Sequence, residues 1–214
     1  MRASGQPVSA TGEIPVGIQV GHGVRPVATP KMFTTGTFEE TGNDLDMAIE
    51  GDGFFQVQMP DGTTAYTRDG AFKMDKDGRL QTSDGNYLMP EIVIPADATS
   101  VKISSGGIVS VTYPNEVEPQ QVGQIEIARF INPAGLSAQG KNLFKETVAS
   151  GAPVVSKPGD DGLGTIAYQM LEKSNVNVSD EMVAMIVAQR AYESNSKVIQ
   201  TSDTMMGIAN ALKR

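Results

Sequence analysis

Apolar residues recur at helical spacing from Glu172 to Arg214, whereas the rest of the chain alternates in short pieces broken by turn residues. Every seventh position gives Ala184, Ala191, Val198, Met205 and Leu212, and an offset of three adds Val187, Ser194, Thr201 and Ile208. This heptad stripe predicts the seam of a coiled coil or bundle. Met182, Met185, Ile186, Tyr192, Ile199 and Met206 lie beside the stripe, so the apolar face is too wide for one partner helix. Asn177, Ser179 or Asp180 can cap the start, Asp180 and Glu181 suit the positive end of the dipole, and Lys213 and Arg214 suit the negative end. About 35 residues at 1.5 Å each make a rod of roughly 50 Å. The pattern predicts no second helix of that length, so cover for this one must come from other chains.

Upstream the period changes to two. Residues 1–40 are rich in Gly, Pro, Thr and Val and read as an extended arm, with strand character at Gly17 to Val20 and Val24 to Val27. From Leu45 onward Asp-Gly pairs recur at Asp61, Asp69, Asp77 and Asp84, the signal of a β-meander. Strands are expected at Phe54 to Val57, Ala65 to Arg68, Ala71 to Met74, Arg79 to Gln81, Glu91 to Ile94, Val101 to Ile103, Ile108 to Thr112 and Gly123 to Phe130. After the turn Asn132 to Gly135 a looser stretch runs through Gly164, and Thr165 to Leu171 is one more strand leading to the helix. The expected fold is mainly β with one long C-terminal α-helix: an elongated chain with an extended arm, an antiparallel β-domain and a coiled-coil-type terminal helix. Its expected divisions are the arm at 1–40, a β-rich outer domain at 41–140, a returning extended segment at 141–174 and an assembly helix at 175–214.

Composition narrows the function. A net charge of −8, with no cluster of Lys or Arg, argues against nucleic acid as a partner. From Ser179 onward acids and bases balance at four each, so the whole excess lies in the preceding part and the helix is free to crowd against copies of itself. The absence of cysteine removes disulfide and thiol chemistry, and no run has the length of a membrane span, so no membrane insertion is expected. No cleaved secretory signal is read at Met1 to Ala10.

A catalytic site is not found. The only histidine, His22, is flanked by glycines in the arm, and Gly21-His22-Gly23 lacks the ending and the following helix of a phosphate loop. Asp75-Lys76-Asp77-Gly78 resembles part of a calcium loop, but Lys73 occupies the first ligand position and a hairpin turn explains its aspartates better. No enzyme activity, cofactor or metal is expected.

Two stretches carry a family resemblance. Ser174 to Met182, followed by Gln189 to Lys197, is similar to the C-terminal signature of bacterial flagellar rod and hook axial proteins. Gly51-Asp52-Gly53-Phe54-Phe55, and Tyr66 to Phe72 followed by Asp77-Gly78, resemble the β-domain motif of that family, with Gly53, Phe54, Phe55, Tyr66, Arg68, Asp69 and Gly70 as its matching positions. Gly21 to Pro26 and the segment before it most resemble the distal-rod branch. Members open with a helix that pairs with the C-terminal one; here Met1 falls where the arm should begin, so the start is expected upstream or the helix has been removed.

The resemblance implies a structural subunit that stacks helically into a hollow, rigid drive shaft, transmits torque from motor to hook and encloses the export channel. Implied partners are copies of itself, other rod proteins and the hook protein at the ends, and the outer-membrane and peptidoglycan ring proteins around the rod. The implied location is the periplasm-spanning rod of the basal body, reached through type III export without a cleaved signal peptide. Val183, Val187, Ala191, Val198, Met205, Ile208 and Leu212 are then the expected helix-packing interface. Gly17, Ile18, Val20, Val24, Arg25 and Pro26 are the expected arm contacts with neighbouring subunits. Competing readings are a proximal rod or hook protein, and a secreted β-rich binding module on a helical oligomerisation stalk.

Overall fold

Short β-branched and aromatic runs separated by Gly-containing turns give a chain of brief strands and one helix. The computed structural model describes Pro7–Ser9, Gly12–Glu13 and residues 27–114, 118–160 and 162–212. Met1–Met32 forms one unit, in which β1 (Pro7–Ser9) pairs antiparallel with β2 (Gly12–Glu13). Phe33–Arg214 forms the other.

The second unit begins with β3 (Phe38–Glu40) and β4 (Met47–Glu50), followed by β5 (Phe54–Gln58) and β6 (Thr64–Thr67). Next come β7 (Phe72–Met74), β8 (Leu80–Thr82), β9 (Tyr87–Met89), β10 (Ser100–Ile103), β11 (Ile108–Thr112) and β12 (Gln120–Gln124). The remaining strands are β13 (Ile127–Arg129), β14 (Ser137–Gly140), β15 (Leu143–Lys145), β16 (Val154–Ser156), β17 (Thr165–Tyr168) and β18 (Met170–Glu172). The helix α1 spans Val178–Ala211. The chain is therefore mainly antiparallel β with a single C-terminal helix among the described residues, as its periodicity predicts.

Nine strands share one sheet, with β14-β15-β6-β5-β9-β8-β7 in line and β13 joining β5 to β16. β10, β11 and β12 form a three-stranded sheet, while β4 pairs with β17 and β3 with β18. Of the Asp-Gly pairs at Asp61, Asp69, Asp77 and Asp84, three make the expected hairpin turns, with glycine at positive φ at Gly62, Gly78 and Gly85. The fourth does not. Asp69-Gly70 carries the chain from β6 to β7, which are not neighbours in the sheet, so the strand order departs from a simple meander.

Other departures have local causes. Glu91 to Ile94 lies between Pro90 and Pro95, which lack ladder donors, and it pairs only through a bridge from Val93 to Arg79. The expected strand from Gly123 to Phe130 breaks in two, because β12 belongs to the three-stranded sheet and β13 to the large one. The stretch read as loose supplies β14, β15 and β16, with Phe144 of β15 opposite Tyr66 of β6. Thr165 to Leu171 divides at Gln169, whose φ of 57° turns the chain from its pairing with β4 to its pairing with β3.

β5 explains where the core sits. Phe54 and Phe55 point to opposite faces of the sheet and both are buried, so this strand has apolar layers above and below it. Phe55 packs edge-to-face on Phe72 at 5.3 Å, within a cluster that includes Met47, Ile49, Val57, Val109, Val111, Ile125, Ile127 and Ile166. Phe54 joins Tyr66, Ala128, Phe130 and Leu136, with Phe33 and Phe144 against them. Phe55→Ala is expected to cost about 3–5 kcal/mol through lost burial and a residual cavity. Val148→Ser, at a fully exposed position, should stay within about 0.5 kcal/mol of wild type, and denaturant unfolding of the two variants measures the contrast.

Candidate functional site

The helix starts where the sequence provides a cap: Asn177 has extended backbone and its Oδ1 accepts from the Ser179 amide at 3.1 Å. Asp180 and Glu181 occupy the first turn, where the dipole favours them. Over its 34 residues no side chain is buried. Val183, Val187, Val198, Met205, Ile208 and Leu212 are between 57% and 83% exposed, and Ala191 is exposed as well. A turn of 3.6 residues places these seven on one side of the cylinder. The same geometry centres Met182, Met185, Ile186, Tyr192, Ile199 and Met206 on the opposite side, where the heptad reading set them beside the stripe. The helix thus carries exposed apolar side chains on two opposite sides.

One polar member of the seam is satisfied within the helix. Thr201 Oγ1 donates to the Lys197 carbonyl at 2.8 Å, so its hydroxyl asks nothing of a partner helix. Ser194, Val198, Thr201 and Met205 line a shallow depression along this side. Lys213 and Arg214 lie outside the described residues, and so do the six arm positions Gly17, Ile18, Val20, Val24, Arg25 and Pro26. His22 does too.

Among the β-domain motif residues, Arg68 holds a largely covered guanidinium that reaches Gly53 and its neighbours. Arg68, at the end of β6, donates through Nη1 to the carbonyls of Gly51 (3.1 Å) and Gly53 (3.0 Å) and through Nη2 to Ile49 (3.2 Å). Its Nε lies 2.9 Å from Glu172 Oε2, and the two side chains are only 15% and 11% exposed. Glu172 Oε1 in turn accepts from the Gly36 amide at 2.9 Å. Around this node Phe54 and Phe55 anchor the two apolar layers, and Tyr66 packs on Phe130 at 4.7 Å. Burial, with Glu146 nearby, pushes the Tyr66 hydroxyl pKa up. Asp69 Oδ1 holds the Ala71 amide at 3.1 Å. Gly70 is glycine because a Cβ there would collide with the Met47 carbonyl.

The node joins the chain entering the β-domain to the chain leaving it. Lys173 donates its amide to the Thr37 carbonyl at 2.8 Å, and Asn175 Nδ2 donates to the Thr34 carbonyl (3.0 Å) and hydroxyl (2.9 Å). Gly36 admits no side chain, since its Cβ would fall on the Lys173 carbonyl. Lys173 Nζ and Glu39, 2.8 Å apart, are both exposed and add little. Glu172, Gly36 and Asn175 were not singled out from sequence. A signal for Glu172 existed: an arginine at the end of a buried strand demands an anion.

The carboxylates of the turn resembling a calcium loop are occupied within the hairpin. Asp75 accepts from the Lys76 amide at 2.7 Å and from the Tyr87 hydroxyl at 3.3 Å, while Asp77 pairs with Arg79 at 3.3 Å. No helix among the described residues is long and apolar enough to cross a membrane.

Comparison with known proteins places these features. Residues 48–111 match the flagellar hook protein FlgE/F/G D1 domain, and residues 168–212 match the C-terminal domain of the flagellar basal body rod FlgEFG proteins. The flagellar basal-body rod protein FlgG of Borreliella burgdorferi is 53% identical over 213 residues, covering 99% of this chain and 80% of that protein. FlgG of Buchnera aphidicola subsp. Schizaphis graminum is 47% identical over 206 residues, covering 96% of this chain and 79% of its own length. The hook protein FlgE of Salmonella typhimurium is 43% identical over 112 residues, 52% of this chain and 28% of that protein.

The second matched stretch begins at Tyr168. The Tyr168 hydroxyl lies 2.6 Å from both Asp44 Oδ1 and the Val101 carbonyl, and Gln169 Nε2 donates to the same Asp44 oxygen at 2.7 Å. Burial first, and then the Asp44 carboxylate, push the Tyr168 pKa up from 10.0 to about 12. A raised folded-state value means that the contribution of Tyr168 to stability is complete below the unfolded pKa and is lost as pH rises through the folded one. Unfolding measured between pH 9 and about 12 should therefore show an alkaline loss of stability that Tyr168→Phe makes smaller, the remainder including the contribution of Tyr66.

Proposed function

The chain belongs to the flagellar rod and hook protein family, and on that footing we propose that it builds the distal rod as a hollow, rigid shaft passing torque from motor to hook. It is a structural flagellar rod subunit, of a family that self-assembles and associates with other rod and hook proteins. Support for the distal rod over the hook comes from the extent of similarity, which covers 99% of this chain with the Borreliella rod protein but 52% with the Salmonella hook protein.

One observation carries the assembly reading: a 34-residue helix with no buried side chain and an apolar face on each of two sides. In a helical polymer each copy meets neighbours through different patches, so a two-faced helix can serve as a stave between two others. Val183, Val187, Ala191, Val198, Met205, Ile208 and Leu212 supply one face, with Met182, Met185, Ile186, Tyr192, Ile199 and Met206 on the other. In this arrangement the helices wall the export channel, the arm residues Gly17, Ile18, Val20, Val24, Arg25 and Pro26 touch adjacent subunits, and the acidic β-domain faces the outer-membrane and peptidoglycan rings. The divisions at 1–40, 41–140, 141–174 and 175–214 then correspond to arm, outer domain, return and stave. The periplasmic span and type III export without a cleaved signal peptide complete the reading.

Val198→Asp or Met205→Asp places a charge in the seam while touching nothing in the β-domain. Each should leave β-domain melting unchanged and abolish rod assembly, scored by electron microscopy of basal bodies from cells whose rod subunit carries the change. Rods of normal number and length would contradict the helix-packing reading.

A further inference from the structure

We infer that Arg68 and Glu172 form a rigid joint that fixes the assembly helix to the β-domain, with Asn175 as its outer pin. The inference rests on the rod reading, and adds to it the residues through which force passes from one part of a subunit to the other.

The connection from β18 to α1 is the covalent path from the described β-domain to the helix, and a single extended strand is flexible unless it is held. Here it is held at three successive points. Glu172 is held by Arg68 and by the Gly36 amide, Lys173 by the Thr37 carbonyl, and Asn175 by Thr34. Asn177 then caps the helix, so Ser174 and Val176 are the only intervening residues outside these contacts.

The chemistry of the central pair fits a positioning role better than a stabilising one. A buried ion pair adds little net stability compared with apolar side chains of similar volume, because both charges must first leave water. What it supplies is direction. The planar guanidinium offers its N–H groups in a fixed fork, and here that fork is committed on two sides to the Ile49, Gly51 and Gly53 carbonyls and on the third to Glu172. Three of those contacts belong to the end of β4 and the turn before β5, two elements set in the core. The fourth belongs to the strand that leads to the helix. Arg68 therefore transfers the position of the rigid β-sheet to the exit strand, and a lysine, with one point charge, cannot do so.

The cysteine-free sequence allows clean labelling. Spin labels at Lys73→Cys on β7 and Glu181→Cys in the first turn of α1, both exposed positions, report the distance across the joint by pulsed electron resonance. In the full chain, wild type should give a narrow distance distribution. Glu172→Gln, which keeps the shape of the side chain and loses its charge, and Arg68→Lys, which keeps the charge and loses the fork, should both broaden it at temperatures where near-ultraviolet circular dichroism shows the β-domain still folded. An unchanged width in either variant overturns the inference, and so does broadening that occurs only as the β-domain melts. Should Glu172→Gln impair folding, Arg68→Lys carries the test. In basal bodies, Glu172→Gln should leave rod number unchanged while motility is lost first in viscous medium. If wild-type chain enters no rods at all, the proposed function fails while the labelling result stands on its own.

Discussion

A guanidinium removed from water must find acceptors for its N–H groups, and much of the second unit is arranged around the need of Arg68. The Gly51-Asp52-Gly53 turn is shaped so that two carbonyls face it, with φ of 113° at Gly51 and 151° at Gly53, values a side chain would disfavour. Glu172 is drawn in from the far end of the chain, 104 residues away in sequence. Gly36 brings its amide to the same carboxylate. Removing one member of so deeply set a pair leaves the other without its partner, so the entry strand, the exit strand and the β4–β5 turn depend on one another in the folded state.

The fold class was legible because its two periods are so different. A 3.6-residue repeat over more than thirty positions and a string of two-residue alternations cannot be mistaken for each other. Strand positions near Asp-Gly turns were legible too, since Gly62, Gly78 and Gly85 are each required at positive φ. What failed was the order of pairing. Alternation says that Phe72 to Met74 is a strand but not that it lies at the far edge from β6, reached through Gly70, which packs on the backbone of Met47. The short strands β14 to β16 were hidden because Gly, Ser and Pro around them dilute the pattern, and their pairing depends on partners distant in sequence.

The residues proposed for assembly divide in the same way. Helix positions such as Val198 and Met205 follow from spacing alone, and their exposure accords with the need for outside cover. The motif residues Gly53, Arg68 and Gly70 were found through resemblance, with no physical role attached. Their roles appear only in three dimensions, where Gly53 is an acceptor, Arg68 a fork and Gly70 a point of close backbone contact. The arm positions fall outside the described residues, and no geometry bears on them.

If the chain builds the proposed rod, its bare helix bears on when that polymer grows. A helix gains most of its stability from packing, and this one receives no burial from its own β-domain. Its order is therefore strongest where a neighbouring surface is already in place. In the proposed rod two free subunits offer each other only single bare helices, whereas the end of an existing filament offers several faces already in place. Such a terminus acts as a template-dependent lock, favouring extension at a growing tip over spontaneous nucleation elsewhere.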